Sequence, residues 1–295
     1  MPELPEVETV RRGLAPILSG KRIKSITSLH PRLERRSENL SLASTKGARI
    51  MSVERRGKYL WFKLDREQAI VGHLGMSGQM LIVPKTSPLE KHARAVIDFG
   101  DKKFEFRFVD QRTFGWLAVA ELIDSENGQI PQICTHISLD PFDPQFDLKA
   151  AAKAIGNRRS EIKRVLPNQE AVSGIGNIYA DEALWLAKIH PETRTEKLTE
   201  REIIKILNCA KKVMNSALAQ GGTSFDDLYI NVNGESGYFE VSLRVYGREG
   251  EPCTRCRTSI RRIIFANRSS HFCPHCQKRG KSTGNRGLKS GKARG

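Results

Sequence analysis

The chain has 295 residues, 39% hydrophobic and 28% charged, enough for a sizeable core and, by length, about two domains. Lys and Arg number 49 against 33 Asp and Glu, a net charge of +16 that points to a polyanionic partner, nucleic acid first and a membrane surface second. No apolar run is long enough to cross a membrane and no basic-then-apolar leader opens the chain, so a reducing cytoplasm is expected.

The opening Met1-Pro2-Glu3-Leu4-Pro5-Glu6 admits two readings. Pro2 and Pro5 suit a helix start, where a missing N–H costs nothing. Trimming of Met1 before a small residue would instead expose the secondary amine of Pro2. An α-amino group titrates at roughly 7.7–8, so a useful fraction is neutral near pH 7. Such an amine can attack a sugar C1′ and form an iminium, as a Schiff-base lysine does. Glu3 stands beside it and Glu6 one turn beyond. A first amphipathic helix is expected from about Pro5 to Leu18, with Val7, Val10, Leu14 and Ile17 on one face. Its positive end favours carboxylates such as Glu3 and Glu6.

From Lys21 to about Leu122 the period changes to two. Arg22 to Ile26, Ala48 to Val53, Lys58 to Leu64, Ala69 to His73, Gln79 to Val83, Ala95 to Phe99, Lys103 to Phe108 and Phe114 to Ala120 read as strands. That many antiparallel strands predict a β-sandwich with the first helix packed on it. Pro131, Pro141 and Pro144 mark a linker near residues 125–146. Helices are expected over Leu148 to Ile155 with Asp147 as N-cap, Ser160 to Leu166, Asn177 to Lys188, and from a Thr199/Glu202 capping box to Gly221-Gly222. A Gly/Asn/Ser-rich loop follows.

Cys253-x-x-Cys256 and Cys273-x-x-Cys276, separated by sixteen residues, have the spacing of a four-cysteine zinc site. Four thiolates close the tetrahedron and leave no place for water, so one structural Zn²⁺ is expected. His271 and His275 read as bystanders that could contact phosphate. Ile260 to Ala266 and Ser270 to Phe272 read as a hairpin decorated by Arg257, Arg261, Arg262 and Arg268. Cys134 and Cys209 read as small buried hydrophobes. Lys278 to Gly295 carries seven Lys/Arg and no acid; without it the chain still has a net +9. That tail reads as disordered.

The strings PELPEVET at 2–9, RRGKYLW at 55–61, HLGMSG at 73–78, DQRTFG at 110–115, SGIGNIYADEAL at 173–184, QGGTS at 220–224 and VYGREGEPC at 245–253, followed by the cysteine module, run along almost the whole chain. In this order they resemble the formamidopyrimidine-DNA glycosylases. The resemblance implies an α+β fold of two domains: residues 1–124 a catalytic helix and β-sandwich, 125–146 a linker, 147–240 a helix–two-turn–helix domain, 241–279 a zinc finger, and 280–295 a basic tail. It implies a monomeric bacterial enzyme of the nucleoid that acts on damaged double-stranded DNA. Pro2 would be the nucleophile, Glu3 the acid at the opening sugar and Glu6 a support for the amine end. Lys58 would handle protons and phosphate during β-elimination; without the resemblance it reads as a solvated lysine on a strand face. Arg268 would grip phosphate during δ-elimination. Met76, Arg112 and Phe114 would wedge into the stack; without the resemblance Met76 and Phe114 read as core. His73, His92, Arg158 and Asn177 fall at further DNA-contact positions. Free amides at the Gly174-Ile175-Gly176-Asn177 helix start would clamp phosphate. Residues 223–239 correspond to a loop closing over an everted purine.

Three departures stand out. Gln111 and Thr113 occupy a string that usually reads DPRRFG, so one phosphate-binding arginine is lost and salt sensitivity is expected to fall. Pro167 takes a place usually apolar, and the tail exceeds what the motifs require. Leu4 favours purine lesions, because the sister family directed at pyrimidines opens PEGPE. The remaining alternative is a DNA-binding protein that keeps the scaffold without catalysis.

Overall fold

The computed structural model describes residues 2–37, 39–126, 128–221, 243–265 and 267–279. Met1, the 223–239 loop and the 280–295 tail therefore lie outside the described residues. Helix α1 spans Leu4–Leu18 and turns Val7, Val10 and Leu14 into the sandwich core. Nine strands follow: β1 (Ser25–Ser28), β2 (Ile50–Arg56), β3 (Tyr59–Leu64), β4 (Gln68–His73), β5 (Gly78–Pro84), β6 (Ala93–Asp98), β7 (Phe104–Asp110), β8 (Trp116–Ser125) and β9 (Gly128–Pro131). They pair antiparallel into two sheets, ordered β1-β6-β7-β5 and β2-β3-β4-β8-β9. Phe62 of β3 meets Phe106 of β7 edge-to-face at 5.6 Å, joining the inner faces. The five-stranded sheet also buries its outer face, where Trp61, Val71 and Trp116 pack round Cys134.

The stretch expected to be linker contributes β9, which pairs with β8 through Ile123 and Ile130. The first strand begins at Ser25 rather than Arg22. Beyond the sheets come α2 (Leu148–Gly156), the single turn α3 (Ile162–Val165), α4 (Asn177–Ala187) and α5 (Glu200–Ala219). Asp147 caps α2 by accepting from Lys149 and Ala150, and Thr199 with Glu202 forms the expected capping box of α5. Leu4 is the exception on α1: its side chain belongs to the helical core with Ile175, Tyr179 and Ile206. The chain start is thereby wedged between the halves. A hairpin of β10 (Arg261–Phe265) and β11 (Arg268–Phe272) completes the described chain and packs on α4. Among the described residues no helix is long and apolar enough to cross a membrane.

Candidate active site

Glu3 is buried just ahead of α1, and its carboxylate reaches across to the start of α4. It accepts the backbone N–H groups of Gly176 (2.7 Å), Ile178 (2.8 Å) and Tyr179 (3.4 Å). Of the amides named at this helix start, Gly176 N–H is thus taken by a carboxylate, for the same dipolar reason that would favour phosphate. Sterics dictate the glycines around it. A Cβ on Gly176 would lie 2.2 Å from Glu3 Cδ, and one on Gly174, at φ +88°, would overlap Leu4. Leu4 N–H in turn donates to Gly174 O at 3.1 Å. Glu6 accepts Glu3 N–H at 2.8 Å on one oxygen and the Tyr179 hydroxyl at 2.6 Å on the other.

Lys58 is buried, not solvated, and its Nζ donates to Ile175 O at 2.9 Å. It sits in the β2–β3 turn, where Gly57 at φ +57° packs so close to Ser173 that a Cβ would come within 2.7 Å. Asp140 holds that turn by accepting Gly57 N–H (3.1 Å) and Arg55 Nη1 (2.7 Å), while Arg55 also donates to Gly57 O. Burial pushes the Glu3 carboxyl up, with Lys58 opposing and Glu6 reinforcing. Burial pushes the Lys58 ammonium down, with Glu3 opposing and the Arg268 charge adding to the fall. Burial thus moves the acid and the amine toward each other, each opposed by the other's charge. Arg268, exposed on β11, is the finger residue whose charge reaches Lys58.

His73 adjoins the same cluster. Burial, then the charges of Lys58, Arg35 and Arg36, lower it to about 4, so the imidazole is neutral at pH 7. Gly75 N–H donates to Nδ1 at 3.0 Å, which assigns the proton to Nε2. The ring lies between Tyr59 and Trp116 in a cavity of about 550 Å³ that Arg35, Arg36 and His136 also line.

A second cluster lies where the β4–β5 and β7–β8 loops meet. Asp110 accepts Ser77 Oγ (2.6 Å), Arg112 N–H (3.2 Å) and Gly115 N–H (2.6 Å), lashing the loops together. Phe114 is 46% exposed with the Arg112 guanidinium 5.2 Å from its ring, and Met76 is half-buried beside them. Neither side chain is core. Thr113 sits at φ +54°, a left-handed conformation costing a residue with a Cβ roughly 1–2 kcal/mol. His92 joins this cluster through its carbonyl, which accepts Asp110 N–H. Arg158 stands apart, exposed after α2 and 3.7 Å from Glu170.

Asn177 donates its side-chain amide to Ser269 O (3.0 Å), which ties α4 to the finger. Next to it Asp181, buried, accepts Lys163 Nζ, Ser270 Oγ and His271 N–H within 2.8 Å. His271 is buried against Tyr246 and so does not face phosphate. Cys253, Cys256, Cys273 and Cys276 bring their sulfurs within 4.8 Å of one another. Thiolates about 2.3 Å from a tetrahedral zinc fit that spacing. Trp185 Nε1 points at Cys253 Sγ (3.4 Å), and Arg255 stacks on the indole at 4.0 Å. Local pattern marks none of Tyr179, Asp140, Asp181 or Trp185, because each works on a group far away in sequence.

Residues 1–117 match the model of the formamidopyrimidine-DNA glycosylase N-terminal domain, 137–228 its H2TH domain, and 250–279 a zinc finger found in that family and in IleRS. A formamidopyrimidine-DNA glycosylase of Rhodococcus jostii is 53% identical over 284 residues, 94% of this chain and 96% of its own. The chain belongs to the formamidopyrimidine-DNA glycosylase family. Wild-type Lactococcus lactis Fpg, solved with DNA containing N7-benzyl-Fapy-dG, superposes with a TM-score of 0.82 at 34% identity. MutM solved with carbocyclic 8-oxo-G DNA gives 0.81 at 34%; each alignment covers 94% of this chain and all of the other. As a member, the protein is a DNA glycosylase and abasic-site lyase whose finger carries one structural zinc.

Proposed function

We propose that the protein excises oxidised purines, 8-oxoguanine and formamidopyrimidines, through a Pro2 Schiff base and then cuts the strand by β,δ-elimination. The observation that carries this reading is the buried Glu3 carboxylate, seated one residue from Pro2 and paired electrostatically with Lys58. The solved relatives bound to Fapy-dG and 8-oxo-G DNA support the choice of lesion, as does Leu4.

The Pro2 nitrogen attacks C1′ and the bond to the base breaks, the base leaving with a proton. Glu3, its pKa raised by burial, protonates the ring oxygen as the sugar opens, giving the iminium. Removal of a C2′ proton expels the 3′ phosphate, and a second elimination expels the 5′ phosphate. Lys58, its ammonium weakened by burial, relays protons, and Arg268 neutralises the departing phosphate. His73 and Asn177 contact the lesion strand, with His92 and Arg158 farther out. Met76, Arg112 and Phe114 fill the gap left by the everted nucleotide, and unstacking is repaid by contacts to bent DNA. Residues 1–124 carry the chemistry, 147–240 and 241–279 the grip on DNA, and one chain suffices as a monomer.

Borohydride trapping on an 8-oxoguanine duplex tests this. The parent chain should cross-link, and Pro2→Gly should not. Glu3→Gln should abolish base release yet still cleave preformed abasic DNA; equal loss of both activities would refute the split between Glu3 and Pro2. A faster reaction on thymine glycol than on 8-oxoguanine would refute the purine preference.

A further inference from the structure

The loop that bears Phe114 is held by two clamps. Asp110 binds its N–H groups, at Arg112 and Gly115. Its carbonyls are bound from outside the sheet by Arg35, whose Nη2 donates to Phe114 O (2.6 Å) and Nη1 to Gly115 O (2.9 Å). Arg35 stands on a firm base. Leu33 is buried in the sandwich core and its carbonyl accepts Leu117 N–H, Ser37 Oγ accepts Val119 N–H, and Arg35 Nη1 also donates to Arg32 O. Between the clamps lies Thr113, a β-branched residue in the left-handed region that relaxes unless its neighbours hold it. Gly75 leaves no slack on the other side, since a Cβ there would come within 2.5 Å of Phe114 C and Gly115 N.

We propose that Arg35 is a positioning residue for base eversion: it pins the Phe114 and Gly115 carbonyls so that the strained Thr113 turn presents Phe114 and Arg112 ready to enter the stack. The proposal rests on the reading of Phe114 as a wedge. Without Arg35 the turn relaxes, and each insertion must first re-form it. The loss falls on the step that opens the duplex and spares the chemistry at Pro2. Lysine, with one ammonium, reaches one carbonyl at a time and recovers only part of the effect.

The test uses the full zinc-loaded chain in single-turnover base release from 8-oxoguanine paired with cytosine. One substrate is fully paired; in the other the pairs flanking the lesion are mismatched and already unstacked. Arg35→Ala should lose about tenfold or more on the paired duplex and come within about twofold of the parent on the mismatched one, because unstacking costs least where pairing is already weak. Arg35→Lys should fall between. An equal loss on both substrates would make Arg35 a general structural or phosphate contact, and no loss on either would leave it idle; both results overturn the proposal. Thermal midpoint and zinc content show whether a loss reflects misfolding. Phe114→Ala is measured in parallel. If it lacks the same dependence on flanking pairs, the wedge reading fails and the Arg35 proposal falls with it; if it shows the dependence and Arg35→Ala does not, only the latter fails.

Discussion

At the scale of single residues, the site turns on what is missing from Gly176. A methyl group there would meet Glu3 Cδ at 2.2 Å, so the Glu3 side chain, buried and held by the Gly176, Ile178 and Tyr179 N–H groups, would have to give way. Gly176→Ala should therefore displace the carboxylate by about 1 Å or more and slow base release roughly a hundredfold, with zinc content unchanged. Single-turnover rates check this, and a loss below about threefold would contradict it. The Gly174-Ile175-Gly176 signal is visible in the sequence, yet its reason is not, since nothing local reveals that a carboxylate from residue 3 arrives there. Lys58 is hidden for the same cause. Local pattern reads it as solvated, and the carbonyl that receives it lies 117 residues on. For Pro2 and Glu3 local pattern leaves a helix start and a nucleophilic amine both open, and the resemblance favours the amine, whereas the zinc ligands are legible from spacing alone.

At the scale of elements, the strands and helix starts are largely legible because their signals are local: alternation for the sheets, Asp147 and Thr199 for α2 and α5. The missed β9 is four residues long, too short for alternation to show, and exists because β8 offers it an edge. A charge cluster adds to the apolar packing that joins α1 to the sheet. Glu8 accepts from Arg11, Arg12 and Arg55, and Arg55 passes the link to Asp140. Burial opposes ionisation of Glu8, but the Arg11 bond, the Arg55 charge and the Arg12 bond outweigh it and hold its pKa at about 2. A carboxylate depressed from 4.5 to about 2 on folding stabilises the fold above 4.5, and that contribution is lost as pH falls toward 2. Glu8→Gln should be less stable than the parent at neutral pH, and the two should converge between pH 4.5 and 2. Denaturant midpoints across that range check this; a gap independent of pH would assign the loss to packing.

At the scale of the whole molecule, α4 is the common support. Its first turn holds Glu3, its Asn177 and Asp181 hold β11, and its Trp185 leans on Cys253. Zinc is therefore coupled to the active site mechanically. Removing it with a chelator should release β11 and Arg268, and abolish strand cleavage and tight DNA binding while the sandwich stays folded. Far-UV circular dichroism with a nicking assay reads both, and full nicking by zinc-free protein would contradict the coupling.

Glu3 finds its amide partners 173 to 176 residues farther along the chain. A polypeptide leaving the ribosome consequently carries Glu3 long before the amides that seat it have been translated. Truncated or half-made copies lack that seat, and only a chain made through Tyr179 can complete it.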